Sequence, residues 1–268
     1  MRKVAAALTN THVKLVDVFT DESYARSSFK LVGNSEQLAS AAEQIARAAI
    51  LHVDLSLEQH PAPHPRQGAL DMVAFMPLSE EKADALVHEL DECALLAQEL
   101  GSCLGGLGLP VLLYGPRRGR SLLDARRCTS FFASTRTESP REPFCSAPPD
   151  FGPETVSPRS GIAIVGAMPY VTNFNVQIRG ADLGACRSIA LELRKSMGLQ
   201  LMALPHADDS IEIGCNLQAT AAHGSPGICK VLSSMQQLLP SGASIARSYV
   251  IGLTPSECLD RWRGKSSS

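Results

Sequence analysis

Aromatic residues are scarce in this chain: they make up 5% of it, with one Trp, four Tyr and eight Phe. A core must therefore be built mainly from Leu, Ile, Val and Ala, within an apolar content of 44%. Excess charge is also missing. The formal net charge is −2 and the pI about 6.4. That removes any global attraction to nucleic acid, so no nucleic-acid partner is expected, while a local basic groove for a small anion remains open. No apolar run approaches the roughly 20 residues of a membrane span. No signal-peptide apolar stretch stands at the start. No membrane partner is expected, and the cytoplasm is the expected compartment. The eight cysteines (93, 103, 128, 145, 186, 215, 229 and 258) form no CxxC pair and no Cys/His group with zinc spacing. Reduced thiols and no metal are the expectation. A GxGxxG after a strand is lacking, which argues against a dinucleotide fold. The glycine-rich GSCLGGLGLP at 101–110 is followed by a strand and by no Lys-Ser/Thr, so it is not a phosphate loop. Its glycines read as a helix stop and turn.

What is present reads as alternating strands and helices. The 268 residues suit one large domain or two of average size. Residues 13–19 alternate as a strand, 21–24 form a turn, and 27–32 form a second strand closed by Gly33. Asn34 then caps a helix, with Gln37 completing a capping box. Ser79 opens a long helix to about Leu100, and residues 111–114 form a buried strand. Residues 129–160 are rich in Pro, Ser, Thr, Glu and Arg and read as a long loop. A second unit is expected from Gly161, with strands at 162–165 and 173–178, then helix, strand, strand, a helix starting at Pro226 and a last strand, so that it contains the order strand, helix, strand, strand, helix, strand. That order suits a ferredoxin-like unit. His206 falls in a polar turn and reads as a surface residue. The expected fold class is α+β: two ferredoxin-like α/β subdomains, 1–160 and 161–263, each a mixed sheet with helices packed on one face.

The stretch His60–Pro77, HPAPHPRQGALDMVAFMP, is the most distinctive. Its prolines bias His60, Pro63 and His64 toward extended backbone. A histidine between two prolines, at the entrance to an apolar strand, is either part of an ordinary surface loop or a positioned acid or base.

Residues His64-Pro65-Arg66-Gln67-Gly68-Ala69-Leu70-Asp71 resemble the His-Pro-Arg-x-Gly-Ala-Leu-Asp motif of glutamate formimidoyltransferases, the formiminotransferase domain of formimidoyltransferase-cyclodeaminase. In that family the motif histidine is catalytic, which implies His64 here. The resemblance continues through Leu113-Tyr114-Gly115, Gly166-Ala167, Phe174-Asn175 and Gly252-Leu253-x-Pro255. Asp150-Phe151-Gly152-Pro153 and Gly161 resemble the family's folate-binding stretch. That implies a folate segment made of Gly152, Pro153, Glu154, Thr155, Val156, Ser157, Pro158, Arg159, Ser160 and Gly161. The family also implies N-terminal and C-terminal formiminotransferase subdomains, a substrate tunnel between them, a homodimer, tetrahydrofolate as co-substrate and no metal. Its reaction, part of one-carbon metabolism and histidine catabolism, moves the formimino group of N-formimino-L-glutamate to N5 of tetrahydrofolate. Both substrates carry carboxylates, so Arg66, Arg26 and Arg159 are candidate partners for them, or else solvated surface charges. Asp71 either orients a histidine or arginine or ends the loop.

The chain departs from the family pattern at several positions. Met1–Leu8 resembles the helix after the family's opening strand and its Asn-Phe-Ser-Glu-Gly, so that strand and motif are expected to be missing or cut from the sequence. Phe19 replaces an acidic residue, Ala25 the Asn of an Asn-Arg pair, Met168 an Arg, and Gln177 an Asn. Three readings stay open: a formiminotransferase using His64, a family member without catalysis that binds folate or acts as a scaffold, and an unrelated α+β interaction module.

Overall fold

The computed structural model describes residues 2–9, 12–57, 64–78, 83–133, 143–218 and 227–265. His60 and the expected helix starts at Ser79 and Pro226 lie outside them. The chain divides into two compact units. One comprises Met1–Val16, Phe29–Pro169 and Trp262–Gly264; the other comprises Asp17–Ser28, Tyr170–Arg261 and Lys265–Ser268. The expected α+β class is present as two sheet-and-helix units.

In the first unit a short helix α1 (Arg2–Ala5) precedes strand β1 (Val13–Asp21), which pairs with β2 (Arg26–Gly33). The tip of this hairpin belongs to the second unit. Helix α2 (Ser35–His52) follows and buries Ala39, Ala41, Ala42, Ile45 and Ala46, the stripe expected from helical spacing. Its capping box is absent. Asn34 has the extended backbone of an N-cap but its side chain makes no cap bond. The Gln37 side-chain oxygen is instead buried without a hydrogen-bond partner.

Strand β3 (Met72–Phe75), helix α3 (Ala83–Gly106), strand β4 (Val111–Tyr114), helix α4 (Leu122–Arg127) and strand β5 (Ala163–Ala167) complete this unit. The sheet order is β3-β5-β4, with both pairings parallel. β5 is buried along its whole length, as a central parallel strand must be. Helix α3 runs past the end expected from sequence. Gly101 and Gly105 lie inside it because Phe151 and Gly152 press on that face: a Cβ at Gly105 would meet Phe151 Cβ and Gly152 N at 2.7 Å. The turn is made by Gly108, at φ +82°.

The second unit runs β6 (Thr172–Arg179), α5 (Leu183–Met197), β7 (Gln200–Pro205), β8 (Ile211–Leu217), α6 (Ile228–Leu238), β9 (Ser244–Ile251) and α7 (Pro255–Trp262). Its sheet, β7-β8-β6-β9, is antiparallel throughout. That order is the ferredoxin-like one expected from the strand-helix alternation. Phe174, Val176 and Ile178 from β6 pack with Ile213 from β8 and with Ile189 and Leu193 from α5. Alternate residues of each strand therefore face the helices. Helix α5 is bounded by Asp182, whose carboxylate accepts the Ala185 amide at 2.7 Å, and by Gly198 in the left-handed region. Asp182→Ala is expected to lower stability by about 1 kcal/mol, read as a shift in urea midpoint with unchanged slope. Among the described residues no helix is long and apolar enough to cross a membrane.

Candidate functional site

His64 stands at the start of the loop that leads into β3. Its Nδ1 lies 2.9 Å from the Pro65 carbonyl oxygen. In the neutral ring that contact places the proton on Nδ1 and leaves the lone pair on Nε2. The ring meets Phe131 edge to face, centroids 6.2 Å apart at 83°. Phe131 is fully buried, and the Arg126 guanidinium carbon lies 4.6 Å over its ring. Proline on one side and a buried aromatic on the other thus restrain the imidazole.

The loop is closed by Asp71 and Gln67. Asp71 Oδ1 accepts the backbone amides of Gln67 at 2.7 Å and Gly68 at 3.3 Å. Gln67, buried to 2% exposure, donates through Nε2 to the Asp71 carbonyl at 2.8 Å and accepts the Thr129 hydroxyl at 2.8 Å. Of the two roles left open for Asp71, these bonds serve the loop. Arg66 is partly buried in the same turn.

The segment 152–161 lies beside this loop within the first unit. Ile162 donates its amide to the Gln67 carbonyl at 3.1 Å, and Ala69 donates to Ser160 at 2.9 Å. The crossing requires two glycines. A Cβ on Gly68 would sit 2.3 Å from the Ile162 oxygen, and one on Gly161 would sit 2.2 Å from the Gln67 oxygen. Gly161 donates back to Ser157 at 2.8 Å, folding Ser157, Pro158, Arg159 and Ser160 into a turn. Gly152, at φ +83°, Pro153, Glu154 and Thr155 are exposed, while Val156 is half-buried. Arg159 contacts Asp54 Oδ2 at 3.3 Å and donates to the Leu51 carbonyl at 3.3 Å. The Ser56 hydroxyl, then its amide, and then Arg159 hold the Asp54 carboxyl below the usual range. The structure thus brings Gln67, Gly68 and Ala69 of the His64 loop against Ser160, Gly161 and Ile162. Arg26 belongs to the other unit, next to Ala25, which has φ +50°.

In the second unit the structure assembles a polar cluster that sequence reading missed. Glu212, 1% exposed on β8, accepts Asn175 Nδ2 at 2.6 Å, the Tyr249 hydroxyl at 2.6 Å and Gln177 Nε2 at 3.3 Å. His206 Nε2 lies 3.3 Å from Asp21 Oδ2 and 3.9 Å from Glu212 Oε2. Tyr24 meets the His206 ring edge-on at 5.1 Å. Burial, and after it the Glu212 charge, raises the Tyr24 phenol well above its ordinary pKa; burial and the Glu212 bond do the same for Tyr249.

His206 is therefore not the surface residue its turn suggested. Asp208 and Asp209 take positive φ and let His206 donate its amide to the Ser210 carbonyl at 2.9 Å, which turns the ring inward. No local spacing announces this cluster, because Asp21 and His206 are far apart in the chain. A pocket of about 270 Å³ opens on it, lined by Phe19, Thr20, Asp21, Glu22, Ser23, Gln177, His206, Arg247 and Tyr249. Two of the departures from the family pattern, Phe19 and Gln177, thus sit on its wall. A third, Met168, accepts the Tyr114 hydroxyl on its sulfur at 3.4 Å.

Residues 1–168 match the formiminotransferase domain, N-terminal subdomain. A formiminotransferase cyclodeaminase-like protein of Arabidopsis thaliana is 28% identical over 92% of this chain and 86% of its own. A glutamate formimidoyltransferase of Thermoplasma acidophilum is 29% identical over 92% of this chain and 80% of its own. The formimidoyltransferase-cyclodeaminase of Sus scrofa is 35% identical over 68% of this chain, which spans 32% of that longer protein. With the family match extending over most of the chain, and with the His64 motif and the glycine crossing of Gly68 and Gly161 inside it, this protein belongs to the formiminotransferase family.

Proposed function

We propose that this chain transfers the formimino group of N-formimino-L-glutamate to N5 of tetrahydrofolate, with His64 as the acid and base. The observation that carries this reading is the restrained imidazole: Nδ1 faces the Pro65 carbonyl, so Nε2 is the nitrogen that takes a proton. His64 accepts the N5 proton as N5 bonds to the formimino carbon. It then returns that proton to the glutamate nitrogen as the old carbon–nitrogen bond breaks. Atoms balance without an oxidant or a metal: N5 gains CH=NH, and glutamate leaves with its amine restored. The exposed stretch Gly152–Thr155 and the turn Ser157–Gly161 are the folate segment in this reading. Arg66, Arg159 and Arg26 are the carboxylate partners, because a guanidinium pairs a carboxylate through two parallel bonds. A homodimer is the assembly that goes with it.

The test uses the purified full chain with both substrates. The expected result is saturable glutamate release that depends on tetrahydrofolate. A second reading, a folate binder without catalysis, is favoured by Gln177, whose amide is committed to Glu212 and His206. Absent turnover together with a raised melting temperature in millimolar folate would select it. No shift with either ligand would remove both.

A further inference from the structure

We propose that Asp21, His206 and Glu212 form a binding site for one divalent first-row transition metal ion, of the Zn²⁺ or Co²⁺ type, in the second unit. One ligand atom from each of Asp21, His206 and Glu212 lies within 4.8 Å of the other two. Donors bound tetrahedrally to one such ion at about 2.0–2.2 Å stand about 3.3–3.6 Å apart. The His206–Asp21 separation of 3.3 Å meets that spacing, and the His206–Glu212 separation of 3.9 Å requires a closure of about half an ångström.

A second and independent feature is how the three side chains are held. On each, the atom that does not converge is tethered by a separate group. Asp21 Oδ1 accepts the Tyr24 amide at 3.0 Å, Glu212 Oε1 accepts Asn175 Nδ2 at 2.6 Å, and His206 Nδ1 faces the Gln177 amide at 3.3 Å. Outer hydrogen bonds of this kind orient ligands and set their basicity. Among the described residues, His206 is the only basic side chain within ion-pair distance of either carboxylate. Two acids that are 10% and 1% exposed therefore share one imidazole.

One nitrogen and two oxygens suit zinc-type ions rather than magnesium, which takes oxygen ligands. The pocket beside Asp21 and His206 supplies the space for water on the remaining positions. Loading asks for two adjustments. Glu212 Oε2 receives the Tyr249 hydroxyl and Gln177 Nε2; in the loaded site it keeps the Tyr249 bond and turns its other lone pair to the ion. Nε2 must present its lone pair, so Nδ1 carries the proton and Gln177 turns its amide oxygen to accept it, giving up its Nε2 bond to Glu212 and freeing that lone pair for the ion.

The experiment titrates the chelator-stripped full chain with Co²⁺ as spectroscopic probe, with Zn²⁺ by competition and with Mg²⁺ as a comparison. One Co²⁺ per chain is expected, with a nitrogen and oxygen ligand-field spectrum that lacks thiolate charge transfer. Zn²⁺ should displace it and Mg²⁺ should not. Gln177→Leu should weaken binding about 10- to 100-fold, and His206→Gln or the isosteric Asp21→Asn by more. Asp208→Asn, on the same turn but exposed and paired with Arg179, should change nothing. Cooperative melting of each variant establishes that it is folded. The proposal is overturned if Co²⁺ shows a thiolate spectrum, if folded His206→Gln and Asp21→Asn bind as the parent does, or if the parent binds no metal.

Discussion

His64→Ala is expected to lower formimino transfer by about 10²- to 10⁴-fold, the range contributed by a positioned acid or base. Folate affinity should change little, because Ser160 in the proposed folate segment keeps its backbone bond to Ala69, and the adjoining Ile162 its bond to Gln67, when the imidazole is removed. The measurement is kcat from initial rates beside a folate dissociation constant from calorimetry. His64→Gln separates proton transfer from hydrogen bonding: it can still donate and accept hydrogen bonds but cannot carry a proton at neutral pH, so it should be as slow as the alanine variant. A rate within threefold of the parent in either variant would remove His64 from the chemistry.

Gly161→Ala should be the most disruptive small substitution near the site. A left-handed φ costs an alanine about 1–2 kcal/mol, and Gly161 sits at +66°. Its Cβ would also stand 2.2 Å from the Gln67 oxygen and 2.7 Å from Gly68 Cα, both backbone atoms that cannot swing aside. A loss above about 3 kcal/mol is expected from the combined strain and displacement, accompanied by weaker folate binding. Gly119→Ala supplies the comparison, since Gly119 has the same φ and nothing within 4 Å of its would-be Cβ. Its loss should stay near the dihedral cost alone. Equal urea midpoints for the two variants would mean that the crossing of the two segments carries no stability.

These expectations rest on features that were legible to different degrees. The elements of the second unit could be read from local pattern. Ile211–Leu217 alternates through Ile211, Ile213, Cys215 and Leu217, and the strand has those bounds in the structure. The His64 motif was legible because its residues are contiguous and a loop of this kind is built from near neighbours. The helix start at Asn34 was legible, but its capping box was misread because the box depends on where Gln37 points, and its side-chain oxygen is buried instead. Gly101 and Gly105 were misread as a stop because nothing in their own neighbourhood reveals Phe151 lying against them. The cluster of Asp21, His206 and Glu212 was invisible for the same reason on a larger scale. Its members come from a hairpin tip, a turn and a strand, and only the folded chain brings them together. Local chemistry is written in spacing, whereas convergent chemistry is written in topology.

The parallel sheet of the first unit has a consequence for synthesis. Among the described residues β3 and β4 each pair in parallel with β5, which is made last of the three, and β4 adds an isolated bridge from Val111 to Phe151. While the ribosome is still adding the residues before Ala163, the parallel ladder of neither strand can form, and the apolar run Val111–Tyr114 has no central strand to close on. The nascent chain must carry both strands without their parallel partner until residues 163–167 clear the exit tunnel. That interval is when it is most open to chaperones and to wrong strand partners.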